Sequence, residues 1–285
     1  MRIPERPCEA EESNRAWLPP RPAGYFSNGQ WHSRQCKAHI FSSSAAEGEC
    51  LRNKVIYFMG DSTIRQWYQK YTPISVFELM WRTLKLRVNR PLLGRNVFAV
   101  EGPATDADIW SPRESYDSYY NITFKFSAHG PPLQNGGAPS SMPYIADRLD
   151  RIGSNQKVYV VITIGPHLLL YHPTVYISRL KSIKDAVMRL RKRSPESLVF
   201  FKGLGVYTMD DYSGNSCCLS DWLAYRYDNI ARNMMKYVPG LIYLDSWDLT
   251  ASYYDYENLG LHPPNDLLHI ETELFLSFIC PPPNT

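Results

Sequence analysis

The sequence predicts an α/β protein, a three-layer α/β/α sandwich built around a mainly parallel sheet. Short apolar runs without polar alternation recur along the chain, as in strands that a parallel sheet buries on both faces. Stretches with apolar residues at helical spacing lie between these runs. Because strands that alternate with helices favour right-handed crossovers, we expect helices on both faces of the sheet.

Five segments are predicted strands, and helices are predicted between and after them. The strands are 54–59, 122–126, 158–164, 198–201 and 241–244. One helix follows the first strand, and two further helices are centred near Ile183 and Tyr227. The last helix begins after Pro263-Pro264, where Asn265 is the expected cap. The elements of residues 72–120 cannot be assigned from the pattern.

The chain divides into two parts of different composition. Residues 1–50 are rich in proline, serine and glycine, contain three cysteines and show no periodicity. They predict an irregular, disulfide-stapled N-terminal lead that packs on the core. Residues 51–285 carry the alternating pattern and predict a single α/β domain, which the 44% hydrophobic content is sufficient to fold.

Charge and hydropathy exclude two classes of partner. The 31 basic and 28 acidic residues leave a net charge of only +3, and no basic patch alternates with aromatic residues. We therefore expect no nucleic-acid partner. The longest apolar run, residues 158–164, is far shorter than the roughly 20 residues that span a bilayer, so we expect no membrane span in this chain.

The cysteines indicate the secretory pathway. Their even number and the lack of a Cys-x-x-Cys spacing favour disulfides, and Asn121-Ile122-Thr123 is a glycosylation sequon. We expect Cys280 to pair with Cys217 or Cys218, and Cys36 to pair with another N-terminal cysteine. The chain starts without the apolar stretch of a signal peptide. We therefore expect a targeting segment outside it and a Golgi-luminal or secreted location.

Ser62 is the candidate nucleophile. Gly60-Asp61-Ser62 lies where the first strand passes into a helix, at the sheet edge where α/β proteins collect reactive groups. This position predicts an exposed hydroxyl close to helix N–H groups that can stabilise an oxyanion. The alternative is structural, because aspartate and serine are also preferred helix caps.

Two C-terminal histidines compete as the base for Ser62. His269 follows Asp266 at D-x-x-H spacing, but both residues fall on the polar face of the last helix. His262 lies instead in a proline-flanked loop after the last strand, a loop that faces the same sheet edge as Ser62. We therefore predict His262 as the base, with a surface-turn histidine as the alternative.

Four separated segments, with the lead from Gly24 to Cys36, point to a known family. The segments are Gly60-Asp61-Ser62-Thr63-Ile64-Arg65-Gln66-Trp67, Ile162-Thr163-Ile164-Gly165-Pro166-His167, Asp245-Ser246-Trp247-Asp248-Leu249-Thr250, and His262-Pro263-Pro264 with the ending Phe278-Ile279-Cys280. In this order they resemble the PC-esterase domain of the neurexophilin and PC-esterase domain family. The likeness extends from about Cys8 to Cys280. It implies an SGNH-type (GDSL-like) fold, related to polysaccharide and sialic-acid O-acetyltransferases.

The resemblance also implies roles for single residues. Ser62 matches the nucleophile of the Gly-Asp-Ser motif, and Gly130 is the candidate for the oxyanion-hole glycine. The usual Gly-x-Asn-Asp segment is absent, and Gly165-Pro166-His167 stands in its place. His167 is therefore expected to contact the substrate or the oxyanion, or else to be a histidine at the edge of the core. Arg65 either supports the Ser62 loop or forms a structural ion pair.

The acidic partner of the histidine departs from the superfamily. Leu259 stands three residues before His262, where the superfamily has an aspartate that orients the ring. Asp255, Asp248 or Asp245 could replace it, with Asp248 as the preferred candidate, or a backbone carbonyl could fix the ring. Members of the family usually carry an N-terminal neurexophilin-like domain, which this sequence does not include.

Two functions remain open at this point. The first is O-acetyl transfer to, or O-acetyl ester hydrolysis on, a glycan or glycoprotein through an acyl-Ser62 intermediate. No bound metal or organic cofactor is implied, and a transferase would use a donor such as acetyl-CoA. The second is a non-catalytic secreted ligand or glycan-binding protein, which Leu259 favours and which the intact Gly60-Asp61-Ser62 and His262 disfavour.

Overall fold

A computed structural model describes residues 4–10, 17–72, 97–99, 110, 112–132, 142–207, 220–255 and 259–281. The strands are β1 (Gly24–Ser27), β2 (Gln30–Ser33), β3 (Val55–Gly60), β4 (Val97–Ala99), β5 (Arg113–Asp117), β6 (Ile122–Ala128), β7 (Tyr159–Ile162), β8 (Leu198–Lys202) and β9 (Leu241–Leu244). The helices are α1 (Ser44–Leu51), α2 (Ser62–Tyr71), α3 (Ile145–Asp150), α4 (Pro173–Arg193), α5 (Asp221–Met235), α6 (Ser246–Ala251) and α7 (Asn265–Ile279). Short 3-10 turns cover Cys8–Ala10 and Pro166–Leu168.

In the main sheet, β3, the strand that leads to Ser62, lies between β6 and β7. Among the described residues the sheet has seven strands in the order β4-β5-β6-β3-β7-β8-β9. The five strands from β6 to β9 are parallel, whereas β4 and β5 run antiparallel at one edge. The prediction of a mainly parallel sheet is therefore confirmed. The antiparallel edge lies in the region to which the sequence assigned no elements.

Helices cover both faces of the sheet, as predicted. On one face, α3, α4 and α5 pack on side chains such as Val160 of β7. On the other face, α1, α2 and α7 pack on the next residue of the same strand, Val161. Since every residue of β7 is buried, its run of apolar side chains has no polar alternation. Burial on both faces is thus the physical reason for the sequence pattern.

The N-terminal lead is more regular than predicted. β1 and β2 form an antiparallel hairpin whose turn, Asn28-Gly29, has positive φ at both residues. Ser43 caps α1 by accepting a hydrogen bond from the Ala46 amide. The expected cap of the last helix is wrong in detail, because Asn265 is already the first helical residue. Pro264 occupies the cap position and makes no side-chain cap bond.

The disulfides confirm one prediction and correct another. Cys36 pairs with the N-terminal Cys8, as expected, and Cys280 is disulfide-bonded. Its partner is Cys50, however, because the end of α1 packs against the end of α7. Cys217 and Cys218 lie outside the described residues. The two bridges are typical of an oxidising environment.

Replacing both Cys50 and Cys280 with alanine is expected to lower the free energy of unfolding by about 2–4 kcal/mol. The bridge closes a loop of sequence separation 230, which restricts the unfolded chain strongly. Urea unfolding followed by circular dichroism measures the loss. The Cys8→Ala/Cys36→Ala variant is the control, because its separation of 28 predicts a smaller loss. A loss from the control equal to or larger than that from Cys50→Ala/Cys280→Ala would contradict this expectation.

None of the helices in the described part of the chain combines the length and the apolar character needed to cross a membrane.

Candidate active site

Ser62 is the first residue of α2, directly after the turn that leaves β3. The cap of this helix is Asp61, whose Oδ1 accepts hydrogen bonds from the Thr63 amide at 2.8 Å and from Thr63 Oγ1 at 2.7 Å. Asp61 therefore caps the Thr63 amide, and the Ser62 hydroxyl is left for another partner.

Gly60 allows β3 to approach its neighbour closely at this turn. A Cβ atom at Gly60 would lie 2.2 Å from the carbonyl oxygen of Thr163, the residue that follows β7. This contact is with backbone and cannot be relieved by a side-chain rotation. Glycine is thus required to bring the Ser62 turn against the end of β7.

His262 contacts the Ser62 hydroxyl directly. His262 Nε2 lies 2.7 Å from Ser62 Oγ, the distance of a hydrogen bond in which the serine donates to a neutral ring. The loop that carries His262 is tied to α2, because Gln66 Nε2 donates to the Pro263 carbonyl at 3.3 Å. The predicted meeting of Ser62 and His262 at the carboxyl edge of the sheet is therefore confirmed. The predicted exposure is not, since Ser62 is only 7% exposed beneath this ring.

His269 lies in a different set of contacts. Its Nδ1 is 3.2 Å from Lys70 Nζ and 3.6 Å from the Glu47 carboxylate, and its Nε2 is 3.4 Å from that of Glu273. These partners belong to α1, α2 and α7, and Lys70 lies near the opposite end of α2 from Ser62. Helical periodicity thus separates the two histidines as the sequence predicts.

Burial keeps His262 neutral. Desolvation lowers the pKa of His262 below its ordinary value of 6.5, and the charge of Arg65 and the neighbouring His167 ring lower it further. The carboxylate of Asp61 opposes this shift. A neutral imidazole with its lone pair toward a hydroxyl can remove a proton from that hydroxyl, so the geometry is suited to a general base.

His129 is a residue of the site that the sequence analysis missed. It follows β6, is 2% exposed, and its Nε2 lies 2.9 Å from His167 Nδ1. Burial and the neighbouring His167 lower the pKa of His129 to about 4, against the opposing charge of Asp61. The available signal was its position, since His129 lies three residues beyond the end of a predicted strand, just as His167 does.

Arg65 and His167 both contact the ring of Trp110. The Arg65 guanidinium is 4.7 Å from the centre of the Trp110 ring, and the His167 ring meets that ring edge to face. Burial lowers the pKa of His167, Asp61 raises it, and Arg65 lowers it. Arg65 is therefore electrostatically coupled to both His167 and His262.

Gly130 lies two residues beyond the end of β6, the strand that pairs with β3. Its φ of +81° favours glycine, and a Cβ atom there would lie 2.4 Å from the Tyr144 ring. The preceding amide, that of His129, donates to the Gly60 carbonyl at 3.0 Å. The structure thus places Gly130 beside the Ser62 turn.

The carboxylates of Asp248 and Asp245 have partners other than His262. The Oδ2 of Asp248 accepts a hydrogen bond from the Ala23 amide at 2.7 Å, and Asp245 is paired with Arg232 at 2.7 Å. Asp248 thus anchors the N-terminal lead and Asp245 anchors α5, which corrects the assignment of Asp248. The carboxylate whose charge acts on His262, His167 and His129 is that of Asp61.

A buried ion pair lies beneath the site. Lys202 Nζ is 3.1 Å from Glu271 Oε1, and the two side chains are 5% and 2% exposed. Glu271 also accepts from Trp67 Nε1 of α2 at 3.2 Å. Both members of the pair line a narrow cavity together with Thr63 and Pro263. The pair therefore ties β8, α7 and the Ser62 helix together.

In the described ranges, no group of three or more histidine, cysteine, aspartate or glutamate side chains is arranged to hold a metal ion.

Two solved enzyme structures show a distant match to this chain. An active-site mutant of a family two carbohydrate esterase from Clostridium thermocellum matches at a TM-score of 0.37 with 15% identity, over 80% of this chain. The chain spans 63% of that protein. A phospholipase A1 from Streptomyces albidoflavus matches at a TM-score of 0.36 with 10% identity, over 80% of this chain and 98% of the other.

A family model gives the more specific match. The model of the NXPE family member 4-like C-terminal domain matches residues 31–84 and 98–280. These ranges cover most of the chain and include Ser62, His129, His167 and His262. They confirm the resemblance found in the sequence. The chain therefore belongs to the family of NXPE family member 4-like C-terminal domains.

Proposed function

We propose that the protein is an SGNH-type serine esterase or acyltransferase that moves an O-acetyl group onto or off a glycan hydroxyl. The observation that carries this proposal is the 2.7 Å contact between Ser62 Oγ and His262 Nε2 at the N-terminus of α2. A nucleophile in direct contact with a neutral base is the minimum arrangement for covalent acyl transfer.

The first half-reaction forms the acyl-enzyme. His262 Nε2 takes the proton of Ser62 while Oγ attacks the acyl carbon. The bond from that carbon to the leaving oxygen of an ester, or to the leaving sulfur of a thioester donor, then breaks, and the protonated ring gives its proton to that atom. In the second half, water or a sugar hydroxyl attacks the acyl carbon and loses its proton to His262. The bond between that carbon and Ser62 Oγ breaks, and His262 returns the proton to Oγ.

Main-chain N–H groups are proposed to stabilise the oxyanion. Those of Ser62 and Gly130 are the candidates, since Ser62 begins a helix and Gly130 lies at the end of the adjacent strand. The charge of Arg65 acts on the same site and also favours a developing negative charge. His167 is proposed to contact the substrate.

The proposals for the glycan substrate, the acetyl donor and the cellular location are based on the family resemblance and on the disulfides. The resemblance to polysaccharide and sialic-acid O-acetyltransferases supports a glycan or glycoprotein substrate and, for the transferase direction, acetyl-CoA as a possible donor. The disulfides support an oxidising compartment, which we propose is the Golgi lumen or the extracellular space. The same compartment is where Asn121, which is exposed, would be glycosylated.

Fluorophosphonate labelling tests the acyl-enzyme chemistry. The wild-type protein is expected to react covalently, and peptide mass spectrometry should locate the adduct on Ser62 because its hydroxyl contacts His262. Ser62→Ala should fold with the same thermal midpoint to within about 3 °C and should not label. Wild-type protein that stays unlabelled between pH 5 and 8 would contradict the proposal.

The pH dependence of labelling is expected to follow the lowered pKa of His262. The base acts only when neutral, so the rate falls as the pH drops through that pKa. Since burial lowers the pKa, the acid limb should have its midpoint below 6.5. Labelling rates measured from pH 4 to 8 give this midpoint, and a value at or above 6.5 would mean that His262 is not the desolvated base described here.

A non-catalytic glycan-binding protein is the second candidate. The observation that favours it is Leu259, which is 1% exposed and packs in an apolar cluster where the superfamily has the orienting aspartate. Glycan-array binding by a protein that never labels at Ser62 would support this function over the first.

A further inference from the structure

Asp61 is a fully buried acid directly before the nucleophile. The residue is 0% exposed. Its Oδ1 accepts from the Thr63 amide and from Thr63 Oγ1, whereas Oδ2 has no hydrogen-bond partner in the part of the chain that the structure describes. Leaving a buried polar atom without a partner costs free energy, and serine or asparagine would cap α2 without introducing a charge. Capping therefore accounts for Oδ1 and leaves the charge of Asp61 unexplained.

The surroundings of Asp61 favour its charged form. The N-terminus of α2 carries a partial positive charge, and two donors bind one oxygen of the side chain. Because the site is buried, water and salt screen this charge less than they would screen a charge on the surface. Asp61 is thus a fixed negative charge on the turn that carries the nucleophile.

The chain itself keeps Asp61 close to His262. Since neighbouring Cα atoms are about 3.8 Å apart, the carboxyl carbon of Asp61 lies within roughly 9 Å of Ser62 Oγ in any pair of rotamers. His262 Nε2 is 2.7 Å from that oxygen. The charges around His262 agree with this placement: burial lowers its pKa, Asp61 raises it, and Arg65 and His167 lower it.

Acyl transfer creates a positive charge on the His262 ring. The proton of Ser62 moves to Nε2 while Oγ bonds to the acyl carbon, and it leaves the ring again when the leaving atom takes it. A carboxylate stabilises such a ring in a catalytic triad. Here the position three residues before His262 is the apolar Leu259, and Asp248 and Asp245 are engaged by Ala23 and Arg232.

We propose that the buried charge of Asp61 is the counter-charge of protonated His262 in the transition state, in place of an aspartate on the histidine loop. No proton moves to Asp61 in this scheme, and the residue acts through His262 as a positioning residue. The inference rests on the proposed function and deepens it, because it assigns the acid of the reaction to the turn of the nucleophile.

Proton NMR titration of the free protein tests the charge coupling without any substrate. The ring C–H signals of His262, assigned by comparison with His262→Gln, are followed with pH in the wild type and in Asp61→Asn. The amide oxygen of asparagine can keep the cap bond to Thr63 but carries no charge. Because the carboxylate favours the protonated ring, the pKa of His262 should fall in Asp61→Asn. A pKa that stays the same or rises would overturn the inference.

Labelling kinetics test whether the charge serves the reaction. The plateau rate constant for fluorophosphonate labelling should fall about tenfold to a hundredfold in Asp61→Asn, the factor that one charge at this range supplies at an effective dielectric constant of about 20. The acid limb should move to lower pH in the same variant, which a merely structural defect would not cause. Asp61→Ser, a second uncharged cap, should show the same loss, and both variants should keep the thermal midpoint to within about 3 °C.

Asp117→Asn is the matched control for removing a buried carboxylate. Asp117 is also buried, and its Oδ1 also accepts from main-chain amides, those of Tyr119 and Tyr120. It pairs with Ile122, the first residue of β6, and so lies at the opposite edge of the sheet from Ser62. The labelling rate of Asp117→Asn should therefore stay within about twofold of the wild type.

The outcomes separate the two proposals. A wild type that labels at Ser62, together with an Asp61→Asn variant that labels as fast or faster, overturns the assignment of Asp61 alone. A loss of rate that Asp117→Asn shares does the same, because it would be an effect on the fold. A wild type that never labels at Ser62 overturns the proposed function, and with it the assignment of Asp61.

Discussion

His262→Ala is expected to lower the rate of Ser62 acylation about a thousandfold while the protein stays folded. The ring is the general base in contact with the nucleophile, and removing such a base typically costs a factor of about 10²–10⁴. The remaining rate would come from the oxyanion donors and from substrate binding. The measurement is the second-order rate constant for fluorophosphonate labelling, with the fold checked by near-ultraviolet circular dichroism.

His269→Ala is the matched control for this loss. His269 is the other C-terminal histidine, but its contacts are with Glu47, Lys70 and Glu273. The labelling rate of His269→Ala should stay within about twofold of the wild type, since this side chain touches neither Ser62 nor His262. The opposite ranking, with His269→Ala slow and His262→Ala fast, would show that the base was assigned to the wrong histidine.

Lys202→Met should destabilise the protein by about 3–5 kcal/mol. Glu271 would then keep a buried negative charge without its cation, and an uncompensated charge in the interior is costly. The free energy of unfolding from urea titration gives the value. Because the pair lies under the Ser62 helix, the loss should be seen in the cooperative unfolding of the whole domain rather than at one loop.

The double variant Lys202→Met/Glu271→Gln distinguishes a stranded charge from a lost packing contact. The amide oxygen of a glutamine can still accept from Trp67 Nε1, and no charge is left unpaired. Most of the stability lost in Lys202→Met should therefore return. A double variant as unstable as the single one would mean that the lysine stem matters for its packing and that its charge does not.

Much of the fold could be predicted from the sequence because local patterns determine it, and the Ser62–His262 contact could be predicted because both residues follow strands that end at the same sheet edge. The buried parallel strands read as continuous apolar runs, and the one that ends at Gly60 carries the nucleophile on its turn. Helical periodicity places His269 on the polar face of α7 and leaves His262 in the loop before it. Both conclusions depend on neighbours within a few residues.

What the sequence could not give depends on contacts between distant segments. His129 and His167 are 38 residues apart and meet only because β6 and β7 both pair with β3. Asp248 has the carboxylate that an orienting acid needs, but this carboxylate accepts a hydrogen bond from the Ala23 amide of the N-terminal lead. Cys50 escaped assignment for the same reason, since its helix had to be placed on α7 before its partner could be known.

The Cys50–Cys280 bridge makes the intervening chain a covalent ring. Residues 51–279 are then bounded at both ends by the same crosslink, and this span contains the main sheet, Ser62 and His262. A single proteolytic cut anywhere in the span leaves two pieces that stay attached to each other. A nicked molecule would therefore migrate as an intact chain on a non-reducing gel and separate into fragments only after reduction.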